Sequence, residues 1–212
     1  MTPTPLHRAV TIVCAIVAAA AVGTQFLLVV AEKLGEGQGV FAGIWQLMAY
    51  FTNWSNLCVA VVATAAAFRL SPGLGGPRAV LLVLPSIIVV SLSYNLLLRD
   101  TMSEVSPLRE VVRMAMHDVT PPLFLALFLT APHPQLTWRD AAWALPLPLT
   151  YAVYSLTRGL SEGWFPYWFL DLTKLSMPDF LRNVVLFIAG LYILGLIVVA
   201  VDRALAFRRA RA

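Results

Sequence analysis

Apolar residues run in six long stretches along the chain, separated by short segments rich in glycine, proline or charge. The stretches cover residues 9–31, 44–70, 78–98, 108–130, 138–156 and 180–206. Each is close to or above the roughly 20 residues a helix needs to cross a hydrocarbon core. The pattern predicts an all-α, polytopic integral membrane protein: six transmembrane helices in a single domain spanning residues 1–212. The first stretch follows His7 and Arg8 and contains the run Ala18 to Ala21, which imitates a signal-peptide cleavage site. It is longer than the roughly 7–15 residues of a signal core, so it is read as a span. Gly35, Gly37 and Gly39 punctuate the first connection; Pro72, Gly73, Gly75, Gly76 and Pro77 punctuate the second. Pro146 and Pro148 fall inside the fifth stretch and predict a kink there.

Composition agrees, since 59% of the 212 residues are hydrophobic and 12% charged. An ordinary soluble domain has about 45–50% and about 25%. No room is left for a soluble catalytic domain or a nucleic-acid module. The net charge of +4 sits mostly at span ends, which fits positive-inside anchoring better than nucleic-acid binding. Thirteen arginines against two lysines, with abundant alanine, fit a GC-rich bacterial genome. Cys14 and Cys58 lie in apolar runs outside any CxxC pair and carry no disulfide or zinc signal. Six spans put both termini on one side. Basic residues divide almost evenly between the two sides, and the C-terminal cluster Arg208, Arg209 and Arg211 assigns both termini to the cytoplasm.

Polar side chains within spans are costly and mark functional sites by default. The second stretch carries Thr52, Asn53, Ser55 and Asn56; the third Tyr94 and Asn95; the fourth Arg113, His117, Asp118 and Thr120; the fifth Tyr151, Tyr154 and Ser155. At about 1.5 Å per residue, Thr52 and His117 lie roughly 12–13 Å below the same face. One polar layer in the outer half of the bundle results. Thr52, Ser55 and Asn56 share a helix face, as do Arg113 and His117. Pro121 and Pro122 release the carbonyls of His117 and Asp118 from helical bonding. Asparagine, serine and threonine also tie spans together, and a threonine can bond back to its own helix. One intraspan histidine does not support a metal or haem site. It does support nucleophilic catalysis with Thr52 or Ser55. Asp118, pointing about 100° away, is poorly placed to orient its neighbour's ring, so Asn53, Asn56 or Tyr94 is the better orienter. The aromatic segment Gly163 to Asp171 reads as a headgroup-level belt or a re-entrant lid, with Asp171 and Arg182 as a candidate pair.

The stretches Tyr50 to Leu57, His117-Asp118-Val119 with Pro121, and Gly163 to Asp171 resemble the bacterial predicted six-span membrane proteins. These are similar, more remotely, to the eukaryotic androgen-induced and androgen-dependent membrane protein family. That family hydrolyses fatty acid esters of hydroxy fatty acids with an intramembrane threonine and a histidine on a later span. The resemblance implies an intramembrane ester hydrolase with Thr52 as nucleophile and His117 as base. Asn53, Asn56 and Asn95 are then candidate oxyanion donors, with Tyr94 and Asp118 beside them. A membrane-borne lipid ester is the implied substrate, with no cofactor and no metal. A non-catalytic lipid carrier and a structural membrane partner are the rival readings.

Overall fold

A computed structural model describes residues 4–101, 105–133 and 136–209. The described residues form helices and contain no strand. In chain order these are α1 (Pro5–Gly35), α2 (Val40–Met48), α3 (Phe51–Phe68), α4 (Pro77–Ser93), α5 (Pro107–Met114), α6 (Thr120–Thr130), α7 (Pro146–Glu162) and α8 (Met177–Arg209). A wide π turn, Tyr94–Leu98, extends α4, and another, Ala115–Val119, joins α5 to α6. Local chemistry sets the boundaries. Thr4 caps α1 by accepting from the His7 N–H at 3.1 Å, and Pro5 starts the first turn, where its missing N–H costs nothing. Gly163 ends α7 in the left-handed conformation, φ 67°, that glycine adopts without strain.

Among the described residues, five helical stretches are long and apolar enough to cross a membrane: Pro5–Gly35, Phe51–Phe68, Pro77–Leu98, Pro107–Thr130 and Met177–Phe207. The fifth expected span, 138–156, takes a different form. A tight 3-10 segment, Trp138–Ala144, precedes the 17-residue α7, whose length of about 26 Å falls short of a typical core. Pro146 and Pro148 stand in the first turn of α7 and therefore do not kink it. The expected helix over 44–70 is also two helices, because the chain breaks at Ala49 and Tyr50.

The interior is built from small and branched residues, which let helices approach closely. Cys14 and Ala18 of α1, Val59 and Ala63 of α3, Leu81 and Leu84 of α4 and Phe124 of α6 are all fully buried in one cluster. Gly43 shows how close: a Cβ there would lie 2.9 Å from the Val30 side chain, so α2 lies directly on α1. The outer faces are apolar too, with Ile16 63%, Leu27 65% and Leu186 63% exposed. Such surface suits hydrocarbon and not water.

Polar clamps close one end. The His133 ring contacts Asp202 of α8 at 2.5 Å, and the Leu136 N–H donates to the other carboxylate oxygen at 3.0 Å. Asp140 accepts from the Thr137 N–H and hydroxyl and from Arg78.

His133 and Asp202 are each only 1% exposed, so removing one partner strands the other. Asp202→Ala is expected to destabilise the folded protein by about 3 kcal/mol, read as a lowered unfolding midpoint in detergent. A change within the noise of Cys14→Ala would show that the clamp holds nothing.

Candidate active site

The site begins where the second apolar stretch breaks. A helix break leaves backbone groups without intrahelical partners, and in an apolar slab side chains must supply them. Asn53 Nδ2 donates to the Leu47 carbonyl at 2.7 Å, Trp54 Nε1 to that of Met48 at 2.9 Å, and Tyr151 Oη to that of Ala49 at 2.7 Å. On the other side of the break, the Phe51 N–H donates to Tyr167 Oη at 3.0 Å. The break therefore makes Thr52 the second residue of α3, at the positive end of the helix dipole. No helical carbonyl stands four residues before it to take its hydroxyl, since Met48 belongs to α2.

Thr52 Oγ1 faces His117 Nε2 at 3.4 Å. That is longer than an ideal hydrogen bond, as catalytic pairs often are without substrate. His117 sits in the π turn, whose extra residue has a definite cause. Pro121 and Pro122 lack N–H groups, so the carbonyls of Met116 and His117 lose their helical donors. Asn56 Nδ2 from α3 supplies the first at 3.3 Å and Ser91 Oγ from α4 the second at 2.7 Å. His117 is one of the two carbonyls expected to be freed, and across the widened turn, where the Thr120 N–H reaches back to Ala115, Met116 is freed as well.

The ring is fixed in one tautomer. His117 Nδ1 lies 2.9 Å from the Arg113 carbonyl, which can only accept, so Nδ1 carries the proton and Nε2 offers its lone pair to Thr52. Tyr94 stacks on the ring with centroids 4.0 Å apart, and the Arg99 guanidinium lies over the Tyr94 ring at 5.1 Å. Asp118 does not orient the ring. Arg99 grips both its oxygens at 2.6 Å, and Asn95 donates to it at 2.9 Å, tying the two π turns together.

Two cavities meet at Thr52 and His117. One is a narrow apolar cleft of about 60 Å³, lined by Phe51, Val89, Tyr151, Phe169, Phe187 and Ile188 among others. The second is a wider vestibule of about 420 Å³, with Gln25, Tyr50, Asn53, Arg109, Arg113 and Pro166 on its walls. Thr52, Tyr94, Leu98, His117 and Tyr167 belong to both. The vestibule arginines are charge-compensated: Arg109 pairs with Glu32 at 2.5 Å, and Arg113 with Glu110.

The candidate residues thus divide. Thr52, His117 and Tyr94 converge, and Asn53 lines the vestibule while giving an amide proton to Leu47. Asn56 is fully buried, spends its amide on the Thr52 and Met116 carbonyls and lines neither cavity. Asn95 spends its amide on Ser91 and Asp118. Ser55 is fully buried away from both cavities, which removes it as a rival nucleophile. The expected pair of Asp171 and Arg182 does not form: Asp171 holds Thr173 and Lys174, and Arg182 holds Asp179. The Thr173 bonds keep the Asp171 carboxyl low.

Sequence reasoning missed Tyr167 as a site residue. Its loop, 163–171, closes over the site because Phe165 seats on Gly159, where a Cβ would collide with the ring at 2.1 Å. Burial pushes the Tyr167 phenol up to about 12, so it keeps its proton at neutral pH. Among the described residues no group of three histidine, cysteine or acidic side chains is placed to hold a metal. No protein-family model, curated protein or solved structure matches the chain.

If Asp118 acts on Arg99 and not on the histidine ring, Asp118→Asn and Arg99→Ala are non-additive. A double-mutant cycle on unfolding midpoints is expected to give a coupling of about 0.5–1 kcal/mol, the size of a partly exposed ion pair. Strict additivity would dissolve that link between the π turns.

Proposed function

We propose that this chain is a multi-pass membrane hydrolase of fatty-acyl esters, with Thr52 as nucleophile and His117 as general base. The observation that carries this reading is the threonine hydroxyl facing an unprotonated imidazole nitrogen where an apolar cleft meets a polar vestibule. An ester lying across that junction has its carbonyl at Thr52 and its alcohol portion in the vestibule, with the first methylenes of its acyl chain entering the cleft, whose volume of about 60 Å³ must widen to take the rest. His117 Nε2 takes the hydroxyl proton as Thr52 Oγ1 attacks the ester carbonyl. Collapse of the tetrahedral intermediate breaks the ester C–O bond, and the imidazolium gives its proton to the leaving alcohol oxygen. Water then attacks the acyl-threonine, His117 again accepting a proton, and the free acid leaves with Thr52 restored. The chemistry needs no cofactor. The resemblance of Tyr50 to Leu57 and of His117 to Pro121 to six-span proteins, remotely similar to a threonine-dependent lipid hydrolase family, supports the same residues in the same roles.

In this reading α7, with the 3-10 segment before it, serves as the sixth membrane element. Both termini then lie in the cytoplasm, and the site opens toward the outer leaflet. A reporter fused after Ala212 is expected to be active only in its cytoplasmic form; periplasmic activity would reverse the orientation.

The enzymatic test uses purified protein in liposomes, with a panel of medium and long acyl esters and a fluorophosphonate label. Thr52→Ala is expected to abolish turnover and labelling, and His117→Ala to lower turnover by at least about a thousandfold, as for an activated nucleophile that has lost its base. Cys58→Ala should leave both intact, since its thiol has no base beside it. Wild-type protein that binds lipid esters without turnover or labelling would make this a carrier and not an enzyme.

A further inference from the structure

Attack on an ester places a negative charge on the former carbonyl oxygen, and in a water-poor site a fixed donor must meet it. The asparagines do not suffice. Asn56 is sealed away from both cavities, Asn95 gives its amide to Ser91 and Asp118, and Asn53 lines the vestibule but not the cleft and gives an amide proton to the Leu47 carbonyl.

We infer that Tyr167 is a further catalytic residue: its phenol donates the hydrogen bond that holds the oxyanion formed when Thr52 attacks. This rests on the hydrolase reading. Tyr167 lines both cavities at their junction, beside Thr52 and His117, where the reacting carbonyl must lie. Its oxygen accepts the Phe51 N–H at 3.0 Å. That bond, from the positive end of a helix, draws electron density from the phenol oxygen and strengthens its own O–H as a donor. The phenol keeps its proton throughout. Its hydrogen bond strengthens as the carbonyl oxygen gains charge and relaxes as the ester bond breaks, so no proton is gained or lost at Tyr167.

The donor is carried by the 163–171 loop, on a separate segment from both Thr52 and His117. Phe165 against Gly159 and Asn183 Nδ2 on the Phe169 carbonyl at 2.8 Å hold that loop over the site. In this position the loop completes the catalytic set.

The test compares wild type with Tyr167→Phe in liposomes, measuring kcat on a medium-chain ester, binding of the matching non-hydrolysable ether, and fluorophosphonate labelling. Tyr167→Phe is expected to lower kcat by about 10²–10³-fold, the loss on removing one oxyanion donor, with ether binding preserved. Mono- and difluorotyrosine incorporated at 167 keep the hydroxyl while changing its acidity. Turnover that varies with phenol acidity supports the donor role in a way that a packing role would not, and this series stands even if the phenylalanine variant fails to fold. A Tyr167→Phe enzyme within about threefold of wild type overturns the donor role and leaves the hydrolase reading standing. Parallel loss of ether binding and turnover, with no response to fluorination, assigns Tyr167 to holding α3 and also overturns it. Wild-type protein without turnover or labelling overturns both readings together.

Discussion

Inside an apolar slab, a backbone N–H or carbonyl without a partner costs several kcal/mol, and water is not there to help. Two departures from regular helix beside Thr52 and His117 are repaired by side chains. At Ala49 and Tyr50 a break exposes the end of one helix and the start of another, and Asn53, Trp54, Tyr151 and Tyr167 satisfy them. At Pro121 and Pro122 missing N–H groups orphan two carbonyls, and Asn56 and Ser91 take them. The polar residues concentrated in this layer are there first to make irregular backbone tolerable. Chemistry becomes available because the same repairs fix Thr52 and His117 face to face.

The two roles are shared out with little overlap. Asn56 and Ser91 are spent on backbone, while Thr52 and the free nitrogen of His117 are left facing a cavity. The carboxylate beside the histidine has been diverted to Arg99, and a main-chain carbonyl has replaced it as the partner of Nδ1. A carbonyl fixes the tautomer as firmly as a carboxylate but carries no full charge. In the proposed reaction the imidazolium would thus have less electrostatic support from its orienter than in a Ser-His-Asp arrangement.

Much of this was legible in sequence, for identifiable reasons. Apolar runs locate four of the long helices to within a few residues, whereas the runs at 44–70 and 138–156 each resolve into two shorter elements. Spacing placed Thr52 and His117 at one level, and helical geometry correctly separated Asp118 from the ring. The break at Ala49 was not legible, because the residues across it remain apolar and the groups that repair it, Tyr151 and Tyr167, lie about a hundred positions away. The same distance hid His133 and Asp202, 69 residues apart, which read separately as a loop residue and a span-end acid. Tyr167 could be seen only as one ring among many, its hydroxyl acquiring meaning once Phe51 was known to begin a helix.

The π turn at Ala115–Val119 has a further consequence for how the fold can change over time. One extra residue in a turn rotates everything beyond it by about 100° relative to an uninterrupted helix. α5 and α6 are consecutive in one span, yet they present different sides to the bundle. Loss of a single residue between Met114 and Thr120 would keep composition and hydropathy while swinging one half of the span away from its neighbours. Relatives that preserve this arrangement should tolerate many apolar exchanges along the span and almost no change in its length.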